Sequence, residues 1–120
     1  YIVYILEAHP SDGRQVPQNQ RQQVIVKQPT TYEERVKVAG TCMADLKLSI
    51  PCLVDDLQNT AQKAYAGWPD RLYVVDAAGK LAYVGGPGPR GFQPSEIPPV
   101  LKKLLGREVR EVAPAPRSKE

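Results

Sequence analysis

The stretch Tyr1-Ile2-Val3-Tyr4-Ile5-Leu6 is apolar at every position and ends at Glu7. A strand covered on both faces has this pattern, whereas a strand with one face in solvent alternates apolar and polar residues. We therefore predict a central or near-central strand of a parallel sheet in the intact protein. Because no initiator Met or basic leader precedes the stretch, we expect further sequence upstream of Tyr1.

A helix is predicted downstream, after a long polar loop. Thr30-Thr31-Tyr32-Glu33 has the spacing of a capping box, with Thr30 as the N-cap and Glu33 as its partner, and the helix should run to about Leu46. Residues spaced three and four apart form an apolar stripe that we expect to pack on the sheet. These residues are Val36, Ala39, Met43 and Leu46, with Cys42 beside them.

The remaining elements follow in a regular order. We predict a buried strand at 50–54, a helix over 57–65 capped by Asp56, an antiparallel hairpin of strands at 71–76 and 80–85, and a helix from Ser95. The last helix carries an apolar stripe of Ile97, Leu101, Leu104 and Leu105. A short apolar piece at 24–26 is a candidate edge strand.

The resulting order, β-α-β-α-β-β-α, predicts an α/β fold of the thioredoxin-like kind, with the first strand and the active-site helix missing from the chain. A chain of 120 residues is the length of one domain. We place that domain at residues 1–106, incomplete at its N-terminus. Residues 107–120 are charged, contain proline and lack an apolar period, so a flexible tail is predicted there.

Composition excludes several classes of protein. The 16 Lys and Arg residues exceed the 13 Asp and Glu residues by only three and are scattered, so no nucleic-acid partner is indicated. The longest apolar run is far shorter than the roughly 20 residues of a membrane span. The sequence thus predicts a chain that is soluble as given, and its compartment stays open.

Cys42 and Cys52 have no zinc-site spacing and form no disulfide framework, so no metal is predicted. Both lie in apolar surroundings, where a free Cys most often packs as a small apolar side chain. A resolving or bridging thiol is the alternative.

The candidate site is Glu7-Ala8-His9-Pro10-Ser11-Asp12-Gly13, where the first strand ends. Ligands of open α/β sheets bind outside the carboxyl ends of the strands. Glu7 lies two residues from His9 and faces the same side of an extended chain, so it would orient the imidazole. His9 is therefore a candidate proton donor. Alternatively, both side chains only cap the loop.

Residues 4–13 closely resemble the Y-I-E-E-A-H-x-S-D-G-W segment of the iodothyronine deiodinases, thioredoxin-fold selenoenzymes that reductively remove iodine from thyroid hormones. Further similar segments follow in order, and the resemblance covers roughly residues 1–105. They are Glu-Glu-Arg-Val at 33–36, Ala64-Tyr65, Asp70-Arg71-Leu72-Tyr73-Val74-Val75 and Ala82-Tyr83-Val84-Gly85-Gly86-Pro87-Gly88-Pro89.

This resemblance implies roles for particular residues. Glu7 and His9 match active-site residues of the family, and Asp70 stands where the family has an acidic residue of the substrate pocket. Asp12, in the first motif, is the second candidate for substrate binding. The nucleophile, a selenocysteine or a cysteine, would lie before Tyr1, so the isolated chain should be inactive.

The resemblance also implies partners: an iodinated aromatic substrate and an external thiol reductant, with no bound cofactor. Arg14, Pro29 and Pro87 stand where the family has Trp, His and a basic residue. We therefore expect simple iodophenols to serve at least as well as thyroxine. An open edge on the first strand would favour association, and a homodimer is one option for the oligomeric state.

Two other functions remain open from the sequence. One is a thioredoxin- or peroxiredoxin-like enzyme that acts on disulfides or peroxides, and the other is a domain of this fold that only binds a partner. The upstream sequence would separate these hypotheses. A Cys or selenocysteine followed by Pro-Pro favours a deiodinase, CxxC favours a thiol oxidoreductase, and the absence of both favours a binding domain.

Overall fold

The computed structural model describes residues 1–8, 10–13 and 26–107. Its strands and helices are interspersed along the chain, which confirms the predicted mixed α/β class. The strands are β1 (Ile2–Tyr4), β2 (Cys52–Val54), β3 (Tyr73–Val75) and β4 (Leu81–Val84), and the helices are α1 (Tyr32–Asp45), α2 (Thr60–Tyr65) and α3 (Ile97–Leu105). Residues 24, 25 and 108–120 lie outside the described residues, so the edge strand and the tail stay predictions.

The strands form two separate pairs. β1 runs parallel to β2, with Tyr4 opposite Val54, and β3 runs antiparallel to β4, with Tyr73 opposite Val84. The antiparallel hairpin is therefore confirmed. On its other edge β1 has no strand neighbour within the part of the chain that the structure describes. Its central position in the intact protein stays a prediction.

Helix α1 begins one residue later than the sequence pattern predicts. Thr31, not Thr30, is the N-cap: its hydroxyl accepts the Glu34 backbone N–H at 3.1 Å, and the Glu34 carboxylate accepts the Thr31 N–H at 3.3 Å. Two overlapping capping boxes fit the sequence because Thr and Glu both occur in tandem. The Glu34 carboxylate also accepts the Thr30 N–H, at 2.7 Å, so one carboxylate serves both residues.

The inner face of α1 differs from the predicted apolar stripe. Arg35 and Ala39 are its buried residues, and Cys42 and Met43 are half-buried. Two predicted inward residues face solvent instead, Val36 at 43% and Leu46 at 62% exposure. The stripe was wrong at Val36 because its neighbour Arg35 takes the inward position, and at Leu46 because the helix ends at Asp45 and Leu46 is its C-cap.

Helix α3 packs on the β3–β4 hairpin after a 3₁₀ turn at Pro94–Glu96. Pro98 and Pro99 lie in its first turn, where backbone N–H groups have no partner within the helix, so the N–H that proline lacks costs no hydrogen bond. Gly106 ends the helix with a left-handed φ of 63°. An open, partly apolar cleft of about 400 Å³ lies between the hairpin turn and Leu101, Leu104 and Leu105. No helix of the described residues has the length and apolarity to cross a membrane.

Candidate functional site

Glu7 lies at the carboxyl ends of two neighbouring parallel strands. The carbonyl oxygen of Tyr4, the last residue of β1, accepts the Asp55 N–H at 2.9 Å, so the chain leaves both strands at the same edge of the sheet. Glu7 follows three residues later and is half-buried. Burial raises the pKa of its carboxyl group, and the positive charge of Arg35 offsets part of that rise.

The raised pKa of Glu7 has a defined effect on stability. A carboxyl group with a higher pKa in the folded chain than in the unfolded chain holds its proton more tightly when folded. The stability that this pKa difference contributes is fully present at pH values below 4.5, the ordinary pKa of the group, and is lost as pH rises through the higher pKa of the folded chain. Ionised Glu7 therefore opposes folding near neutral pH.

Arg35 is the most deeply buried charged residue described, at 2% exposure. Its Nη1 donates to the carbonyl oxygens of Asp55, at 3.3 Å, and Asp56. Its Nε is buried and has no hydrogen-bond partner among the described residues. The guanidinium group thus fixes α1 to the end of β2, close enough to Glu7 to act on its charge, and its buried Nε–H is unused among the described residues.

Asp55, the first residue after β2, continues this polar network into the next helix. Its side chain is 5% exposed, and its carboxylate accepts the backbone N–H groups of Asp56 at 3.0 Å, Ala61 at 2.9 Å and Gln62 at 2.9 Å. The start of α2 is thereby fixed to the end of β2. Helix α2 begins at Thr60, later than predicted, and its N-cap is Asn59, which makes no side-chain cap bond. The predicted cap, Asp56, instead accepts the Thr60 N–H at 3.0 Å from outside the cap position.

Cys42 and Cys52 are free thiols between α1 and β2, and both are half-buried. Burial raises the pKa of both thiols, and the negative charge of nearby Glu7 raises that of Cys42 further. Because only the thiolate attacks an electrophile, neither Cys is prepared as a nucleophile. Among the described residues, no cluster of His, Cys, Asp and Glu is suited to a metal ion.

Asp12 closes a loop. Its carboxylate accepts the Gln28 N–H at 2.9 Å, and the Ser11 N–H donates to the Val26 carbonyl at 2.7 Å. Segment 10–13 is thereby held against segment 26–28. The Asp12 side chain is exposed.

Asp70 lies in a different neighbourhood, against the glycine-rich loop. Its carboxylate occupies the position that a side chain on Gly88 would take, and its carbonyl accepts the Gly88 N–H at 2.9 Å. The loop before Asp70 reaches the end of β1, because a methyl group on Gly67 would lie 3.8 Å from Ile5 Cδ1. Among the described residues, Glu7, Asp12 and Asp70 thus each contact different neighbours.

Two residues of the predicted site, His9 and Arg14, lie outside the described residues. Of the other positions at which the sequence differs from the deiodinase pattern, Pro29 is buried and Pro87 is exposed. The Pro87 carbonyl accepts the Gly91 N–H at 2.9 Å, which closes the glycine-rich loop.

The iodothyronine deiodinase family model matches residues 1–105, which include every described part of the site. The chain belongs to the iodothyronine deiodinase family. This result confirms the resemblance on which the site residues were chosen. Glu7 and Asp70 lie within the matched range, and so does the Arg35 network.

Curated deiodinases are similar over most of this chain. It is 33% identical to type I iodothyronine deiodinase of Xenopus laevis over 102 residues, 35% identical to human thyroxine 5-deiodinase over 96, and 36% identical to rat type II iodothyronine deiodinase over 108. These alignments cover 85%, 80% and 88% of the chain but only 38%, 30% and 40% of the relatives. The deiodinase-family chain thus spans less than half the length of these enzymes.

Two residues of the site are absent from the sequence prediction, Arg35 and Asp55. An apolar-stripe argument assigns charged residues to the outer face of a helix, so it gives Arg35 no part in the site. One signal points to it: Arg35 lies four residues before Ala39, which the stripe places inward. The Glu-Glu-Arg-Val segment at 33–36 also includes it.

Proposed function

We propose that the protein to which this chain belongs is a reductive deiodinase of iodothyronines or related iodophenols. His9 would act as the proton donor, and Glu7 would orient it. The observation that carries the proposal is Glu7, a half-buried carboxyl group with a raised pKa at the carboxyl ends of β1 and β2, in the motif shared with the family.

The chemistry needs a nucleophile, which we assign to a selenocysteine or cysteine upstream of Tyr1. Neither thiol in the chain suits that role, because burial raises the pKa of both. In the thioredoxin-like arrangement that we propose for the intact domain, the nucleophile lies at a helix N-terminus. The amide groups and the helix dipole there stabilise its anion.

The proposed reaction balances as follows. The selenolate or thiolate attacks iodine and forms a bond to it, the carbon–iodine bond breaks, and the ring carbon takes a proton from His9. A thiol reductant then displaces iodide and forms a mixed selenenyl sulfide or disulfide. A second thiol releases the enzyme, so two thiols become one disulfide for each iodine removed as iodide.

A half-buried Glu7 suits the role of orienting His9. A carboxyl group near the imidazole fixes its tautomer and stabilises its protonated form. The neighbouring positive charge of Arg35 favours the ionised form of Glu7, which burial alone would disfavour. Glu7 would therefore remain available as an acceptor for the imidazole.

The substrate pocket would include Asp70 and Asp12. Asp70 is exposed at the edge of the glycine-rich loop, and Asp12 is exposed on the loop after β1. Asp70 is one methylene shorter than the family's glutamate, and Pro29 and Pro87 carry no side-chain donor. A pocket that leaves polar groups of a substrate unpaired strongly disfavours that substrate against one without those groups. We therefore propose that simple iodophenols are used at least as well as thyroxine.

The test measures iodide release by the full-length protein, with dithiothreitol as reductant and thyroxine, an iodophenol or a peroxide as substrate. We expect iodide from the iodinated substrates, a loss of about 10²–10⁴-fold in kcat for His9→Ala, and a smaller loss for Glu7→Gln. Glu33→Gln, which removes an exposed carboxylate on α1, serves as the matched control and should leave the rate unchanged.

Three outcomes would contradict parts of the proposal. Reduction of the peroxide with no iodide release would favour a peroxiredoxin-like thiol enzyme. A full rate in His9→Ala would leave His9 as a loop residue. Thyroxine preferred several hundred-fold over the iodophenol would place Arg14, Pro29 and Pro87 outside the pocket.

A further inference from the structure

The Arg35 side chain has an unusual combination of properties for a residue that only supports the fold. It is buried and charged, it donates to two carbonyl oxygens, and its buried Nε is left without a partner among the described residues. A buried N–H group without an acceptor is costly, so it needs an explanation. Glu7, which follows β1 at the same edge of the sheet, provides one.

The backbone places Arg35 and Glu7 at the same edge of the sheet. Arg35 binds the carbonyls of Asp55 and Asp56, directly after β2, and the Asp55 N–H binds the last residue of β1. The chain that leaves β1 at this point leads to Glu7. The guanidinium group therefore lies where both strands end.

The other titratable groups near Glu7 have separate roles. Cys42, on α1, is a thiol whose pKa burial and Glu7 raise, so it stays neutral. The Asp55 carboxylate is occupied by three backbone N–H groups at the end of β2 and the start of α2. Arg35 is the cation that acts on Glu7 among the described residues.

We propose that Arg35 is a positioning residue for Glu7: anchored on the end of β2, it holds a fixed positive charge, and an unused N–H group, beside the Glu7 carboxyl group. This role rests on the proposed function of Glu7 and extends it to a residue that does not touch the substrate. Arg35 would hold Glu7 ionised in a buried setting and so maintain the acceptor that orients His9.

The first test needs no substitution at Arg35. In the 120-residue chain, the side-chain carboxyl carbon of Glu7 and the Nε–H of Arg35 are followed by NMR as pH is raised. We expect both resonances to titrate with the same midpoint. The Nε of Arg71, which donates to the Gly85 carbonyl at 2.6 Å in the other strand pair, should not follow it. An Arg35 resonance that stays flat through the Glu7 midpoint would overturn the proposal.

The second test compares two variants that each lose one positive charge, Arg35→Gln and Arg71→Gln, with Arg35→Lys, which keeps the charge. Arg35→Gln should raise the pKa of Glu7 further, because the charge that favours the carboxylate is gone, whereas Arg35→Lys should largely restore it. Arg71→Gln is the matched control, since it removes an arginine that also braces backbone carbonyls. An equal change of the Glu7 pKa in Arg35→Gln and Arg71→Gln would overturn the proposal.

The full-length enzyme separates this proposal from the catalytic role of Glu7. If both hold, Arg35→Gln shifts the acidic limb of the kcat profile to higher pH, and Arg35→Lys leaves that limb near its wild-type position. A wild-type rate in Glu7→Gln would disprove the catalytic role. The titration of Glu7 with Arg35 would still decide the positioning role.

Discussion

The two strand pairs of the molecule are held by different kinds of contact. The parallel pair, β1 and β2, is joined to α1 and α2 through buried charged groups, Arg35 and Asp55, that satisfy backbone atoms. The antiparallel pair, β3 and β4, packs on α3 through apolar side chains, and Val74 is its buried residue. Directional bonds fix positions more exactly than apolar contacts do, and they occur at the edge that carries Glu7.

The two strand pairs should differ most in the stability lost when the arginine that braces each pair is removed. Arg35→Ala leaves a cavity and takes the donor from the buried Asp55 carbonyl, while the Asp56 carbonyl still accepts the Asn59 N–H at 3.0 Å, so we expect a loss of about 3 kcal/mol in the free energy of unfolding. Arg71→Ala, in the half-exposed hairpin, should lose about 1 kcal/mol. Urea unfolding followed by circular dichroism measures both values. Equal losses would mean that buried polar contacts do not distinguish the two pairs.

A carboxylate that binds backbone N–H groups occurs in each pair and gives the next comparison. Asp55→Ala frees three part-buried N–H groups and should cost about 2 kcal/mol, with Asp55→Asn between that value and the wild type. Asp76 accepts the Ala78 and Lys80 N–H groups, both at 2.9 Å, at the exposed hairpin turn. Asp76→Ala should cost about 1 kcal/mol, since water replaces the lost acceptor. A larger loss at Asp76 would reverse the comparison.

The same difference explains what the sequence could predict. The hairpin and α3 follow from turn residues and apolar spacing, which are local, and the structure has both. Arg35 depends on carbonyl groups 20 and 21 residues away. A stripe of apolar residues holds no information about such a contact, so the prediction was right at Ala39 but missed Arg35 and wrongly placed Val36 inward.

The candidate site shows the same limit. The motif around Glu7 identified the family and the edge of the sheet, because a strand followed by Glu and His is visible in the sequence. The pKa of Glu7, however, depends on burial and on Arg35, which no local pattern contains. Asp12 and Asp70 could be chosen only from the resemblance, and each contacts a different neighbour.

The start of α1 offers a smaller test of the parallel unit. Thr31→Ala removes the acceptor of the Glu34 N–H and should cost about 1 kcal/mol. Thr30→Ala removes only a hydroxyl that donates to the exposed Glu34 carboxylate at 2.9 Å, so its effect should be a few tenths of a kcal/mol. Thermal unfolding of the two variants decides which threonine is the N-cap. A larger loss at Thr30 would support the capping box that starts one residue earlier.

The smallest expected effect is a gain in stability at a glycine of α1. Gly40 lies within the helix, and a methyl group placed on it would meet no atom within 4 Å. Alanine there reduces the conformational freedom of the unfolded chain without a clash, so Gly40→Ala should add about 0.5 kcal/mol. Gly79, in the hairpin turn, also has open space around it but has a φ of 77°, where a side chain is strained. Gly79→Ala should therefore lower the free energy of unfolding. Urea unfolding measures both changes. Changes of opposite sign at Gly40 and Gly79 would show that backbone conformation, rather than available space, decides the outcome. A loss at Gly40 would mean that the outer face of α1 is covered in solution.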